Sequence, residues 1–417
     1  MYQNDLFERL RGGNGRGNSG GWTAKISPTV WALGITSFLT DISSEMVTSV
    51  LPVFLFNYLR LSPVQFGVVD AVYNGLSVAL IAIAFGVLAD RTRRHKLVAV
   101  AGYGLSSICK LLLIVAGSTW AGVMGVVGLD RLGKGIRVAP RDAMISLSTP
   151  AQNLGIAFGT HRALDSAGAL LGPIAAFAFL MVAGSYAFNQ LWLVSFLVAL
   201  AGVAALSLLV PTKFEYEAPS ESSRQPLATI VRTRGFPALL ASVTLLALCT
   251  VSDAFLYLIV QQKGDIGIGY LPLFYVVTAA TFMVFAVSAG KLADSHGLRR
   301  VFLLGYVILI VVYAMLLSSE SLPGPVSILS LVFLGLFYAA TEGVLMAMAG
   351  RSIPKECRTT GIALLLTAVG LAKFVSSIAF GWLWQGWGID LALSAFVGAC
   401  LIAVIFSYFV LARAGHG

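Results

Sequence analysis

Apolar runs of membrane-spanning length recur along the whole chain, separated by short turns that contain polar residues or glycine. An α-helix needs about 20 such residues to cross the hydrocarbon core of a bilayer. We predict twelve spans, at about residues 29–58, 64–89, 96–117, 120–142, 153–183, 188–210, 236–261, 268–293, 298–318, 325–350, 359–385 and 389–412. The pattern therefore predicts an all-α polytopic membrane protein, and it leaves no room for a soluble catalytic domain.

Two polar segments divide the chain. Residues 1–27 include a glycine-rich tract and lack the apolar core of a signal peptide, so we expect a disordered cytoplasmic tail. Residues 211–234 contain Pro219, Pro226 and a run rich in Ser and Glu, which predicts a cytoplasmic linker. The expected organisation is an N-terminal six-helix bundle at residues 28–210 and a C-terminal six-helix bundle at residues 235–417.

A short repeat supports this division into two halves. The segment from Gly86 to Asp90 recurs as the segment from Gly290 to Asp294, with Lys291 in the place of Val87. Each copy lies at the inner end of the second span of its half and is followed by basic residues. Two six-helix halves related by a repeat are typical of alternating-access transporters, which bind substrate near the midplane between the halves.

The charge distribution predicts how the chain is oriented. The net charge is +9, and only 11% of the residues are charged, against about 25% in soluble proteins. Lys and Arg concentrate at the N terminus, at residues 91–96, in the 211–234 linker and near residues 299 and 351–358, whereas the turns near 118, 185, 320 and 387 carry none. The positive-inside rule then places both termini in the cytoplasm. We expect a multi-pass protein of the bacterial inner (plasma) membrane whose basic loops meet anionic lipid rather than nucleic acid.

The sequence offers no enzyme chemistry. The four cysteines, at positions 109, 249, 357 and 400, lack metal-ligand spacing, so we expect packing roles and no metal site. The N-terminal glycines have no preceding strand and no following Lys-Ser/Thr, which excludes a phosphate-binding loop. We find no nucleophile and base at a catalytic spacing, and we therefore predict that the protein is not an enzyme.

One stretch of the fourth span, residues 130–142, places six charges where the surrounding hydropathy predicts a bilayer. A charge at bilayer depth costs about 2.5–3.5 kcal/mol on insertion scales, so it normally faces a protein interior or a water-filled cavity. Asp130, Arg131 and Lys134 lie deep enough to serve coupling or substrate binding, whereas Arg141 and Asp142, next to Pro140, are expected nearer the inner surface. The alternatives are a structural salt-bridge network and a merely solvated helix end.

Further charges are expected in the same cavity. Asp41 and Glu45 lie one helical turn apart near the middle of the first span, among hydroxyl side chains. Burial favours the protonated form of a carboxyl group, which suits these two residues to load and release protons. Asp70 and Asn74, one turn apart in the second span, are predicted to make an interhelical contact near the outer side.

In the segment that follows the second span, the chain resembles the major facilitator superfamily. Gly86, Leu88, Asp90, Arg91 and Arg94 match the superfamily's pattern after the second helix, although Arg93 stands where the family usually has Gly. The resemblance covers nearly the whole chain and implies twelve helices in two pseudo-symmetric bundles. It also implies that Asp90 stabilises the outward-facing state by pairing across the interface between the halves.

Two further patterns are similar to the drug:proton antiporter-like branch of that superfamily, and to a poorly characterised prokaryotic subgroup. In the fourth span, Arg131 and Gly135 match an Arg-x-x-(Gln)-Gly pattern whose arginine influences proton transfer, with Lys134 in place of Gln. In the fifth span, the antiporter spacing is reproduced by Gly159, Gly168, Gly172 and Pro173, and Ala176-Phe177 replaces its final Gly-Gly. The alternative is that these small residues serve helix packing alone.

The resulting prediction is a proton-coupled antiporter that exports a small amphipathic or charged organic compound by alternating access. The surplus of basic residues in the fourth span leaves open a proton-coupled importer (symporter) of an anionic metabolite, and a transporter-fold sensor is a third alternative. We expect no cofactor, with the proton gradient as the energy source. The expected partners are a small-molecule substrate, protons and membrane lipids, with no nucleic acid, and the protein is expected to act as a monomer.

The predicted site residues fall into three groups. Proton coupling is assigned to Asp41, Glu45, Arg131 and Asp130. The substrate cavity is assigned to Lys134, Arg137, His161, Arg162, Asp165, Asp253, Glu342, Lys373, Tyr257 and Tyr338. Gating is assigned to Gly86, Asp90, Arg91, Arg94, Arg141, Asp142, Gly159, Gly168, Gly172, Pro173 and Asp294.

Overall fold

A computed structural model describes residues 26–75, 78–116, 119–150, 153–212, 235–317, 321–353 and 358–413. Every regular element in these ranges is helical, which confirms the predicted all-α fold. A π-helical turn at Phe54–Tyr58 extends the first helix, and a 3-10 turn at Ile268–Tyr270 precedes the tenth. The helices are α1 (Pro28–Val53), α2 (Pro63–Gly75), α3 (Val78–Thr92), α4 (His95–Ala116), α5 (Trp120–Leu147), α6 (Leu154–Ala183), α7 (Phe188–Leu209), α8 (Phe236–Leu248), α9 (Asp253–Lys263), α10 (Leu271–His296), α11 (Leu298–Leu317), α12 (Gly324–Ser352), α13 (Arg358–Trp387) and α14 (Ile389–Arg413).

Each predicted span corresponds to helix in the structure. The second span comprises α2 and α3, and the seventh comprises α8 and α9. Ten helical segments within the described ranges are long and apolar enough to cross a membrane by themselves, and α5 is not among them because its charges lower its hydropathy. Almost all of the predicted tail and linker, residues 1–25 and 213–234, lies outside the described residues.

Helix starts follow from local capping chemistry. Ser27 precedes α1, and its side chain accepts a hydrogen bond from the backbone N–H of Thr29 at 3.3 Å, with Pro28 at the first helical position. Thr119 accepts from the N–H of Gly122 at 3.3 Å at the start of α5. These side chains satisfy backbone donors that a helix leaves without partners in its first turn.

The helices pack as two groups that meet along two seams. In the N-terminal half α1 packs against α6 and α7, and α4 packs against α5 and α7. In the C-terminal half α12 packs against α10 and α11, while α13 and α14 pack against α8. Between the halves, α2 packs against α13 and α6 packs against α10. This arrangement leaves α1, α2, α10, α12 and α13 around a central space.

Glycine sets the spacing between α1 and α6. A Cβ atom added at Gly172 would lie 2.6 Å from Cβ of Glu45 and 2.8 Å from the carbonyl oxygen of Ile42. A Cβ atom at Gly168 would lie 3.1 Å from Cα of Phe38. Small residues let membrane helices approach to backbone contact, where van der Waals packing stabilises the pair. The glycines of the fifth span therefore hold the helix that carries Asp41 and Glu45.

The two ends of the molecule differ in how closely the halves approach. We call the end that carries Arg91, Arg299 and Arg351 the basic end, and the other the opposite end. At the opposite end Gly67 and Gly381 lie against the backbone of Ser377 and of Pro63 from the other half. Toward the basic end, Cβ positions built on Gly159, Gly290 and Gly343 meet nothing within 4 Å. The glycine-to-backbone contacts that join the halves at Gly67 and Gly381 therefore lie at the opposite end.

Two matched substitutions test the packing role of the fifth-span glycines. We expect Gly172→Val to lower the free energy of unfolding by about 1–3 kcal/mol, because its side chain would overlap Glu45 and the backbone of α1. Gly159→Val should cost little, since its Cβ position faces open space. Unfolding of the purified variants in mixed micelles measures both values. Equal destabilisation by the two variants would contradict the packing assignment.

Candidate functional site

A cavity of about 380 Å³ lies where the two halves meet. Its walls come from α1 and α2 of the N-terminal half, and from α9, α10, α12 and α13 of the C-terminal half, together with the segment between α8 and α9. A volume of this size lies within the range of small-molecule sites, about 300–1,000 Å³. The cavity therefore has the position and size expected of a transporter's substrate site.

The seventh span is interrupted at the cavity wall. Residues 249–252 are not helical, and Thr250, Val251 and Ser252 line the cavity. Irregular backbone at membrane depth requires local hydrogen-bond partners. The hydroxyl of Tyr313 accepts from the N–H of Val251 at 2.8 Å, and the hydroxyl of Ser376 donates to the carbonyl of Thr250 at 2.7 Å. The break thus brings polar backbone and the start of α9, with Asp253, to the cavity.

Five charged side chains line the cavity, and four of them are carboxylates. Glu45 and Asp70 come from the N-terminal half, and Asp253, Glu342 and Lys373 come from the C-terminal half. None of the five forms an ion pair within 4.0 Å with another described residue. The cavity consequently carries an excess of negative formal charge when its carboxyl groups are ionised.

Neutral donors hold two of these carboxylates. The hydroxyl of Ser377 donates to Oδ2 of Asp70 at 2.6 Å, and the side-chain amide of Asn74 donates to Oδ1 at 2.9 Å. The hydroxyl of Tyr338 donates to Oδ1 of Asp253. Ser377 lies on α13 and Asp70 on α2, so the first of these hydrogen bonds joins the two halves.

Aromatic rings make up much of the remaining wall. The Tyr257 and Tyr275 rings lie 4.5 Å apart between centroids. The guanidinium carbon of Arg131 lies 3.9 Å from the centroid of the Tyr73 ring, so this ring stands between the cavity and a buried cation. The aromatic side chains that line the cavity are Phe66, Tyr73, Tyr257, Tyr275, Phe282 and Tyr338.

A first ion cluster is buried beside the cavity, within the N-terminal half. Nζ of Lys110 lies 3.1 Å from Oδ1 of Asp130, and Nη2 of Arg131 lies 2.8 Å from Oδ2 of the same carboxylate. The side chain of Lys110 is only 5% exposed. Buried charges are normally paired, because a lone ion pays a large desolvation cost. Both oxygens of Asp130 are therefore engaged by cations.

A second ion cluster joins α1, α5 and α6. Arg137 lies 3.6 Å from Asp41, and Arg141 lies 3.0 Å from Asp142 and 3.8 Å from Asp165. The carboxyl groups of Asp41 and Asp165 also lie within hydrogen-bonding reach of each other. A hydrogen bond between two carboxyl groups requires a proton on one of them, because a carboxylate only accepts. A hydrogen bond between Asp41 and Asp165 would therefore require one of the two carboxyl groups to be protonated.

The predicted coupling residues divide between the cavity and the two clusters. Glu45 lines the cavity, Asp41 belongs to the second cluster, and Asp130 and Arg131 belong to the first. Lys134 lies close enough to Asp41 and Glu45 to interact with both electrostatically.

The predicted cavity residues divide by half. All five from the C-terminal half line the cavity: Asp253, Tyr257, Tyr338, Glu342 and Lys373. Those from the N-terminal half do not contribute to its wall: Lys134, Arg137, His161, Arg162 and Asp165. His161 instead lies 2.9 Å from the hydroxyl of Ser37, and Arg162 is 79% exposed and lies 3.8 Å from Asp165.

The predicted gating residues lie mainly at the basic end and along α6. Gly86 allows α3 to approach α5, since an added Cβ would lie 3.0 Å from that of Ala139. Arg91 and Arg94 are exposed, and Asp294 pairs with Arg351 at 3.5 Å within the C-terminal half. Pro173 lies inside α6. The side chain of Asp90 lies outside the described residues.

Arg93 adopts a backbone conformation that glycine favours. Its φ is 53°, in the left-handed region that non-glycine residues rarely adopt. The family pattern places Gly at this position, and the arginine here adopts the same type of conformation despite its Cβ. The turn between α3 and α4 thus keeps the geometry that the pattern implies.

Sequence reasoning missed three features of the site. Lys110 received no role, although it is an isolated Lys in an apolar span, the same signal that singled out Lys373. The predicted span at residues 236–261 contains no break, whereas residues 249–252 are not helical in the structure. The sequence Thr-Val-Ser-Asp at residues 250–253 combines β-branched residues with a helix-start signal, which could have indicated the break. Asp70 was assigned an interhelical contact, which Ser377 provides, but not a place in the cavity.

Comparisons with known proteins agree on one family. The model of the Major Facilitator Superfamily matches residues 33–287 and 265–417. An uncharacterised MFS-type transporter of Methanocaldococcus jannaschii is 32% identical over 376 residues, which cover 87% of this chain and 89% of the relative.

Solved structures show the same fold. The nucleoside transporter NupG has a TM-score of 0.77 at 12% identity, with 92% of this chain and 99% of that chain covered. A bacterial homologue of the human lysosomal transporter Spinster, in an inward-facing and unoccupied conformation, has a TM-score of 0.72 at 15% identity, with 93% and 96% covered. At these identities the likeness concerns the fold alone.

The first ion cluster yields a stability test. Lys110→Met replaces a buried cation by an apolar side chain of similar length, and leaves Asp130 with one partner instead of two. We expect a loss of about 2 kcal/mol in the free energy of unfolding. Lys291→Met, the same change on an exposed residue, is the control and should change stability little. Unfolding in mixed micelles gives both values, and a neutral Lys110→Met would show that Arg131 alone satisfies Asp130.

Proposed function

We propose that this chain, which belongs to the major facilitator superfamily, is a proton-coupled antiporter that exports a small amphipathic or charged organic compound. The family makes it a secondary active transporter and not an enzyme. Coupling, direction and substrate class are our proposal, and they rest on how the carboxyl groups are distributed around the cavity.

The observation that carries the proposal is the placement of two carboxyl groups on one helix. Glu45 lines the cavity, and Asp41, one turn earlier on α1, meets Asp165 and Arg137 in the second ion cluster. Lys134 interacts with both carboxyl groups. A change in the protonation of one is therefore felt by the other through α1 and Lys134. We assign Asp41 and Glu45 as the proton carriers.

Alternating access follows from how the halves meet. The halves meet in backbone contact at Gly67 and Gly381 of the opposite end, and we propose that the cavity opens toward the basic end. We propose that the basic end faces the cytoplasm, as the positive-inside rule favours, so that the structure represents a cytoplasm-facing state. Rocking the two halves about the cavity would then expose the same site to the other side.

The pairing of the fourth-span charges argues against the alternative of an importer of an anionic metabolite. Import of an anionic metabolite was suggested by the basic residues of α5, yet Arg131, Arg137 and Arg141 are paired with carboxylates inside the N-terminal half. None of these arginines lines the cavity. The cavity that a substrate would enter is instead rich in carboxylates.

Carboxyl-to-amide substitutions test the proposal. We expect Asp41→Asn and Glu45→Gln to reduce transport driven by a proton gradient by roughly 10- to 100-fold, the usual range of coupling between sites. Substrate exchange without a gradient should persist, because exchange needs no net proton movement. The measurement is uptake into proteoliposomes with and without an imposed pH difference, after a broad panel of compounds has identified one that moves.

The matched control is Asp265→Asn. Asp265 is exposed, and its φ of 47° is a conformation that asparagine tolerates well. It should transport as the unaltered protein does. Full gradient-driven transport by both Asp41→Asn and Glu45→Gln would refute the assignment of proton carriers.

A further inference from the structure

We propose that Asp70 anchors the cationic group of the substrate, which makes the substrate an organic cation with an aromatic or other apolar body. The inference deepens the function proposed above and rests on the cavity being the substrate site. It concerns charge selection only, so it is independent of the direction of transport and of proton coupling.

The first step is the charge of the cavity wall. Four carboxyl groups face one ammonium group, that of Lys373. Lys373 is close enough to interact electrostatically with both Asp253 and Glu342. Glu45 interacts with Arg131 and Lys134 behind the wall. These three carboxyl groups therefore each have a protein cation in their surroundings.

Asp70 is different. It is 6% exposed, and the side chains that donate hydrogen bonds to its carboxylate are Ser377 and Asn74, which are both neutral. Asp253, another carboxylate, acts on it from the opposite half, and within the described part of the chain no cation lies within 4.0 Å of the Asp70 carboxylate. A buried carboxylate without a counterion is costly, and an incoming cation would supply the missing partner.

The aromatic rings around Asp70 can pack against the apolar body of such an organic cation. Phe66 and Tyr73 flank it on the same helix, and Tyr257 and Tyr275 stand across the cavity. The faces of aromatic rings attract cations and accept apolar groups equally well. Hydrophobic walls with a few placed polar groups are what small-molecule sites generally show. The combination selects an amphipathic cation over a compact, strongly hydrated ion.

The position of Asp70 gives the cation contact with both halves. Asp70 lies on α2, and its partner Ser377 lies on α13. A cation bound between Asp70 and Asp253 would join the N-terminal half to the C-terminal half at the seam where they already meet. Anions would face four carboxylates and one lysine at this place, which disfavours them by like-charge repulsion.

The test uses benzyltrimethylammonium as the probe, because its charge does not change with pH. Binding to the purified full chain is measured by equilibrium dialysis and by thermal unfolding, without any gradient. Benzylsulfonate, with a similar body and the opposite charge, is the comparison ligand. We expect the cation to bind and raise the unfolding temperature, and the anion to do neither.

Three variants sharpen the test. Asp70→Asn keeps the shape of the side chain and should weaken binding of benzyltrimethylammonium by about tenfold or more, as removal of a buried charge partner does. Lys373→Gln removes the one cation of the wall and should strengthen binding. Asp265→Asn, on the exposed surface, should leave binding unchanged. The opposite signs at Asp70 and Lys373 separate a charge effect from misfolding, which would weaken binding in both.

Equal binding of benzyltrimethylammonium by Asp70→Asn and the unaltered protein would overturn the inference, as would preference for benzylsulfonate or binding of neither ligand. These outcomes are distinct from failure of the proposed function. Cation binding that depends on Asp70, without any gradient-driven transport, would leave this inference standing and refute proton coupling. Proton-coupled transport of anions, without transport of organic cations, would refute this inference and leave the proposed proton coupling standing.

Discussion

An ion inside a membrane protein needs a partner, and this requirement explains how the polar interior of the chain is arranged. Lys110 and Arg131 share Asp130, and Arg137 and Arg141 lie beside Asp41 and Asp165. Arg131, Arg137 and Arg141 of α5 are paired inside the N-terminal half, and none of them lines the central cavity. The charged groups that line the cavity from this half are the carboxyl groups of Glu45 and Asp70. The sign of the charge in the cavity is thus a consequence of pairing elsewhere.

The same requirement links the ion clusters to helix packing. The second cluster depends on α1 lying in backbone contact with α6, which Gly168 and Gly172 allow. Glu45 is held at this contact, since its Cβ lies beside Gly172, and its carboxyl group is directed to the cavity. Glycine spacing and carboxyl placement are therefore parts of one arrangement, in which α1 connects the cavity to the second cluster.

The fold followed from the sequence more completely than the site did. Length and hydropathy of the apolar runs predicted the helices, and the repeat at Gly86 and Gly290 predicted two halves, because both signals are local or symmetric. The C-terminal cavity residues such as Asp253 and Lys373 were predicted because they are isolated charges in apolar spans. For α5 the sequence supplied charges but not their partners, since Lys110 and Asp165 lie on other helices and their contact depends on helix rotation. Asp70 was missed for the same reason: only the approach of α13 shows that it stands at the cavity.

The seam at the opposite end has a consequence for the response to salt. It is formed by aromatic pairs such as Phe66 with Phe255 at 4.7 Å and Phe56 with Trp384 at 5.4 Å, and by glycines against backbone. No ion pair within the described part of the chain crosses it. Dissolved ions screen exposed charges but scarcely weaken contacts between rings. Contact between the halves at this end should therefore be nearly independent of ionic strength, whereas exposed ion pairs at the basic end, such as Asp294 with Arg351, should weaken as salt is added. The two ends of one molecule would then differ in their response to salt.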